Sequence, residues 1–109
     1  PYSQAIEVNG TLYISGQIPV NPADGQVQTE ITAAAHQSLK NIGAILAEAG
    51  MTYDNVVKTT VLLADIADFK AVNEVYAEYF TGDKPARACY QAAALPLGVK
   101  VEIEAIAVK

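Results

Sequence analysis

The segment KPARACYQ, residues 84–91, places Arg87 two positions before Cys89, the only cysteine in the chain. Eleven residues beyond Gln91 the sequence reads EIE, which contributes Glu102 and Glu104. A guanidinium can bind an anion, a thiol can attack an electrophile, and a carboxylate can hold and deprotonate a water. Alternation along a strand puts Arg87 and Cys89 on one face, and Glu102 and Glu104 likewise on one face. An arginine pointing into a partly dry face must find an anion. Two partners are open. One is Glu102 or Glu104, in an ion pair that holds strands or subunits together. The other is the carboxylate of a small substrate, with a glutamate of burial-raised pKa positioning or deprotonating a water beside it.

The remaining candidates carry weaker signals. Cys89 has no histidine close in sequence to activate it, since His36 lies in a helical stretch, and a lone cysteine in an apolar strand reads as a small packed hydrophobe. Ser15 lacks a nucleophile-elbow context. Asn73 falls inside a helical pattern, where periodicity favours an exposed side chain over one that faces a pocket. Tyr2 lies too near the start of the sequence for pattern to place it. No Gly-rich phosphate loop occurs, and one His with one Cys cannot make a Cys/His zinc site, so no metal is expected.

The elements that must position these residues are legible from period and turn signals. SQAIEV-NG-TLYISGQI is a hairpin around Asn9-Gly10, with Leu12, Ile14, Gly16 and Ile18 expected on one face and Thr11, Tyr13, Ser15 and Gln17 on the other. PVNPADGQ is turn material. From about Thr29 to Ala49, Ile31, Ala35, Leu39, Ile42, Leu46 and Ala49 form a helical stripe, which Gly50 ends. NVVKTTVLLAD reads as a central strand. DIADFKAVNEVYAEYF reads as a second helix, with Phe69, Val72, Tyr76 and Tyr79 or Phe80 buried. ARACYQAAA, after the loop TGDKP, and VKVEIEAIAVK, after the turn LPLG, are the last two strands. The order β-β-α-β-α-β-β gives a two-layer α+β domain, one mostly antiparallel sheet with two helices on one face.

In the final strand Val99, Val101, Ile103, Ala105 and Ala107 suit the helix side. The opposite row, Lys100, Glu102, Glu104, Ile106 and Val108, starts polar and turns apolar, so a neighbouring subunit is expected to cover part of it. Arg87, Cys89 and Gln91 are expected on that same face. Composition points the same way: 51% of residues are hydrophobic and only 17% charged, too little polar material to cover a small surface alone. At 109 residues one domain, 1–109, is expected. The net charge of -5, with seven scattered Lys and Arg, argues against a nucleic-acid partner. No stretch approaches a membrane span, no signal-peptide pattern is visible, and one cysteine fits a reducing compartment, so a cytoplasmic location is expected.

PYSQAI, YISGQIP, VKTTVLLADIADFKAVNEVY and KPARACYQAAALPLGVKVEIEAIAV together resemble the Rid (YjgF-type) family of reactive-intermediate enamine and imine deaminases, over essentially the whole chain. The resemblance implies a chorismate-mutase-like fold and a homotrimer with clefts between subunits. It implies hydrolysis of 2-imino acids, such as 2-iminobutanoate and 2-iminopropanoate, to 2-keto acids and ammonia, with no cofactor. It assigns Arg87 to the substrate carboxylate and Glu102 to the attacking water, with Tyr2, Ser15, Gly16, Asn73 and Cys89 lining the pocket. A non-catalytic binder of small carboxylates or keto acids would use the same Arg87 pocket. The family's links to ribonuclease and chaperone-like activity imply two further alternatives, of which the acidic charge disfavours the first.

Overall fold

A computed structural model describes residues 1–109. The strands are β1 (Ala5–Val8), β2 (Thr11–Gln17), β3 (Val56–Leu63), β4 (Ala86–Gln91) and β5 (Val101–Val108), and the helices are α1 (Ile31–Glu48) and α2 (Phe69–Tyr79). They build one five-stranded sheet in the order β1-β2-β5-β3-β4, and only the β3–β4 pair is parallel. This is the expected α+β architecture. Asn9 and Gly10 both take positive φ, 50° and 82°, which matches the β1–β2 turn to the twist of its strands. No helix is long and apolar enough to cross a membrane.

Helix α1 starts where Glu30 accepts the Ala33 N–H at 2.8 Å, and it ends just before Gly50 at φ 72°. Ala34, Ala35, Leu39, Ile42 and Leu46 are fully buried against β2 and β5. Each of the large ones contributes about 1.5–3 kcal/mol by leaving water. Helix α2 buries Val72, Val75 and Tyr76 in the same core, with Phe80 behind them. Phe69, expected on this stripe, is instead 40% exposed at the helix start. Gly43 lets the two helices meet through Tyr53. The Tyr53 hydroxyl donates to the Leu39 carbonyl at 2.6 Å, in space that a Cβ on Gly43 would occupy.

Three expectations about the sheet change. The strand beginning at Ala86 stops at Gln91, the register partner of Leu63, and the Ala92 N–H donated to the Leu63 carbonyl at 2.9 Å is the last bond of the parallel ladder. In β2 the register shifts between Ile14 and Gln17, so Ser15 and Gly16 form a bulge. The bulge restores Gln17, not Gly16, to the core face opposite Ile103, and Gly16 drops out of the Leu12–Ile14 row.

The third concerns strand parity. Register pairs Arg87 with Thr59 and Cys89 with Val61, while Thr59 pairs with Ala105 and Val61 with Ile103. Paired residues share a face. Arg87 and Cys89 therefore lie on the helix side, not on the face of Glu102 and Glu104 as alternation in isolated strands allows. That other face carries Ile6, Val8 and Tyr13, each about half exposed, and its β5 row is Glu102, Glu104, Ile106 and Val108.

Replacing Gly43 with Ala should cost about 1–3 kcal/mol, the usual cost of forcing an extra methyl into a filled interior. A urea titration reads it as a lower midpoint, and an unchanged midpoint would show that Tyr53 has room to move.

Candidate active site

Arg87 occupies edge strand β4, and α2 packs across it. Phe69, Asn73 and Tyr76 stand at i, i+4 and i+7, one stripe of that helix. Asn73 Oδ1 accepts from Arg87 at 2.7 Å. The guanidinium carbon lies 4.8 Å from the centre of the Tyr76 ring and 5.6 Å from that of Phe69, both within cation–π range. Asn73 is thus half-buried and bonded to Arg87, against the expectation of a free exposed side chain. The contacts of the other basic side chains with carboxylates, His36 with Glu78 and Lys109 with Glu7, leave Arg87 out. An internal ion pair to Glu102 or Glu104 is excluded by parity as well as by contact. Glu102 sits two strands away, about 10 Å across the sheet, and on the opposite face. The guanidinium offers five N–H donors and its own chain supplies one neutral acceptor.

Cys89 follows on the same side, half-buried against the core. Burial raises its thiol pKa, and the nearby Arg87 charge offsets this only in part. A thiol held protonated is a poor nucleophile.

The second group of candidates collects around the β2 bulge. The Ser15 hydroxyl donates to the Ser3 carbonyl at 2.5 Å, and its N–H donates to the Gln4 carbonyl at 2.9 Å. These bonds tie the first residues alongside β2 and bring Tyr2, 77% exposed, to one cavity wall with Gly16 and Gln17. Asn41 of α1 holds the chain beyond the bulge by donating to the Ile18 and Val20 carbonyls at 3.2 and 2.9 Å. The Glu102 carboxyl lies directly over Gly16, where a Cβ would come within 2.8 Å of its carboxyl carbon. The glycine of SGQ thus leaves open the space this carboxyl occupies, and a Cβ there would push the glutamate side chain aside. Burial raises the Glu102 pKa, and the Glu104 carboxylate two residues on raises it further.

The structure therefore brings Arg87, Asn73 and Cys89 together, and separately Tyr2, Ser15, Gly16 and Glu102. Within one chain it does not bring the two groups together. Sequence reasoning missed the aromatic rings around Arg87. Their signal is the Phe69–Tyr76 spacing, which periodicity assigns to the core stripe.

A family model described as endoribonuclease L-PSP matches residues 1–109. The Mus musculus protein named 2-iminobutanoate/2-iminopropanoate deaminase is 59% identical over 110 residues, spanning 100% of this chain and 82% of that protein. Among solved structures, E. coli TdcF with bound serine superposes with a TM-score of 0.97 at 41% identity, covering 100% of this chain and 88% of that one. The YjgF gene product of E. coli gives 0.97 at 46% identity, again over 100% and 88%. With the fold and the match over residues 1–109 in agreement, this chain belongs to the endoribonuclease L-PSP family, the YjgF or Rid family.

Proposed function

We propose that this chain is a 2-imino acid deaminase, a hydrolase that converts 2-iminobutanoate, 2-iminopropanoate and the enamines in equilibrium with them to 2-keto acids and ammonia. The observation that carries the reading is the guanidinium of Arg87, held by an amide oxygen and two rings with no carboxylate of its own chain. Such a group is a receptor for an external carboxylate. The names of the mammalian relatives support the same substrate class, and the serine bound to TdcF carries the same α-carboxylate.

In this reading Arg87 fixes the carboxylate and leaves C2 of the imine beside a water held by Glu102. The imine carbon is already electrophilic, so the carboxylate need only take a proton from the water as its oxygen attacks. Attack on the protonated imine gives a neutral carbinolamine; the carboxyl group returns its proton to nitrogen and takes up the carbinol hydroxyl proton as the C–N bond breaks, releasing the keto acid and ammonia, which carries that proton away as ammonium. Asn73 holds the clamp, Gly16 makes room for Glu102, Tyr2 and Ser15 shape the wall beside it, and Cys89 lies along the ligand.

Because Arg87 and Glu102 lie on opposite faces, a complete site calls for a second copy of the chain. We infer a homotrimer of Rid-type domains, in which the open sheet face with Ile6, Tyr13 and Ile106 meets a neighbour and each cleft takes one residue group from each side. The net charge of -5 speaks against an RNA backbone as substrate. The lone cysteine suits a reducing cytoplasm.

Imino acids generated in place by an amino-acid oxidase, with semicarbazide trapping the survivors, give the assay. Arg87→Ala should lower kcat/KM by about 10²–10³-fold through lost orientation. Glu102→Gln should lower kcat by about 10²–10⁴-fold. Wild type that leaves the trapped signal unchanged, while still binding keto acids, would make this a binding protein instead.

Glu102 is active as the carboxylate, so activity should fall as pH drops through its raised pKa. Glu104→Gln removes the neighbouring charge, lowers that pKa and should move the acid limb to lower pH. A limb that stays in place would take Glu102 out of the proton-transfer role. Ile106→Glu should dissociate the assembly by sedimentation and abolish deamination at the same time. A fully active single chain would refute the shared cleft.

A further inference from the structure

Beneath the clamp lies a buried polar pair that neither the fold nor the proposed chemistry has used. The Thr59 hydroxyl and the Tyr76 hydroxyl are 2.7 Å apart, with Thr59 1% and Tyr76 7% exposed. Thr59 is the direct register partner of Arg87 on β3. Tyr76 reaches down from α2, places its hydroxyl on Thr59, and presents its ring to the guanidinium at 4.8 Å. The two hydroxyls satisfy each other among buried side chains that are mostly apolar. A Val–Phe pair of the same shape would fill that space without any desolvated hydroxyl, so the hydrogen bond adds little to stability over its apolar replacement. What the bond does add is a fixed ring. Asn73 engages one N–H of the guanidinium, and a flat ring that cannot tilt defines the plane of the other donors. Phe69 closes the flank at 5.6 Å. A long side chain on an exposed edge strand, with many rotamers open to it, is thereby held in one orientation before any ligand arrives.

We propose that Tyr76 is a positioning residue: its ring, fixed by the buried hydrogen bond to Thr59, sets the plane in which the Arg87 guanidinium meets the carboxylate of a 2-imino or 2-keto acid. This rests on the carboxylate-clamp reading of Arg87 given above, and the experiment separates the two. Calorimetric titration of the intact protein with 2-oxobutanoate, a stable product of the proposed reaction, reads the clamp without needing turnover.

The double variant Thr59→Val/Tyr76→Phe keeps shape and ring, so its melting temperature should stay near that of wild type. Its affinity for 2-oxobutanoate should fall about fivefold, the scale of one net hydrogen bond. Tyr76→Leu, which removes the ring, should lose about tenfold or more. In the deaminase assay the double variant should raise KM while kcat changes less, since the clamp holds substrate and transition state alike. Where the double variant fails to fold, Tyr76→Phe alone serves, with the same loss of affinity expected. A stable double variant that binds like wild type overturns the positioning role and leaves the clamp standing. Wild type that does not bind 2-oxobutanoate, with Arg87→Ala indistinguishable from it, overturns the clamp and the positioning role together.

Discussion

A guanidinium and a carboxylate on one small sheet attract each other, and a chain that lets them meet neutralises both. Here the parity of three strands forbids it. Strand β3 is hydrogen-bonded to β5 on one side and β4 on the other, and its register puts Arg87 beside Thr59 but Glu102 beside Leu62. Adjacent positions of a strand point to opposite faces, so a one-residue shift of β4 would turn Arg87 toward the glutamates. The α2 stripe could then no longer hold it. The parallel β3–β4 ladder and the packing of α2 across it fix that register. The free charge of Arg87 and, in the proposed reaction, the need for a second chain both descend from this arrangement.

The two charged groups are kept available in different ways. Arg87 is surrounded by groups that stabilise a cation without neutralising it, an amide oxygen and two π faces. Glu102 is placed over a glycine, close to a second carboxylate, where its charged form is disfavoured. The α1 contact through Asn41 and the Ser15 bonds to the first residues hold the bulge that creates this seat. Most of the molecule's polar hydrogen bonds near the candidate residues thus serve placement, while the apolar packing of α1 and α2 supplies the rigidity.

Much of this was legible in the sequence. The hairpin at Asn9-Gly10, both helices, the five strands and the split of the last strand into a buried and an open row follow from period and turn chemistry. The motifs around Arg87 and Glu102 mark the residues to which the proposed chemistry is assigned. What was not legible follows from relations between strands. Alternation within β4 says that Arg87 and Cys89 share a face, but only the pairing with β3 says which one. The bulge at Ser15 and Gly16 inserts one residue and flips Gln17 inward, and a glycine inside a strand was its only local sign. Asn73 looked exposed because periodicity counts core contacts and overlooks a polar partner at the sheet edge.

The sheet order also bears on how the protein is made. Strand β5, the last of the five to be synthesised, lies at the centre of the sheet and is hydrogen-bonded to both β2 and β3. Until it leaves the ribosome, the nascent chain has a hairpin and a separate parallel pair whose facing edges are both unpaired. Those edges invite strands from other molecules. Closure of the sheet joins segments distant in sequence and is slow for that reason. The same strand carries Glu102, so the catalytic carboxylate of the proposed reaction arrives only in the step that ends this exposure.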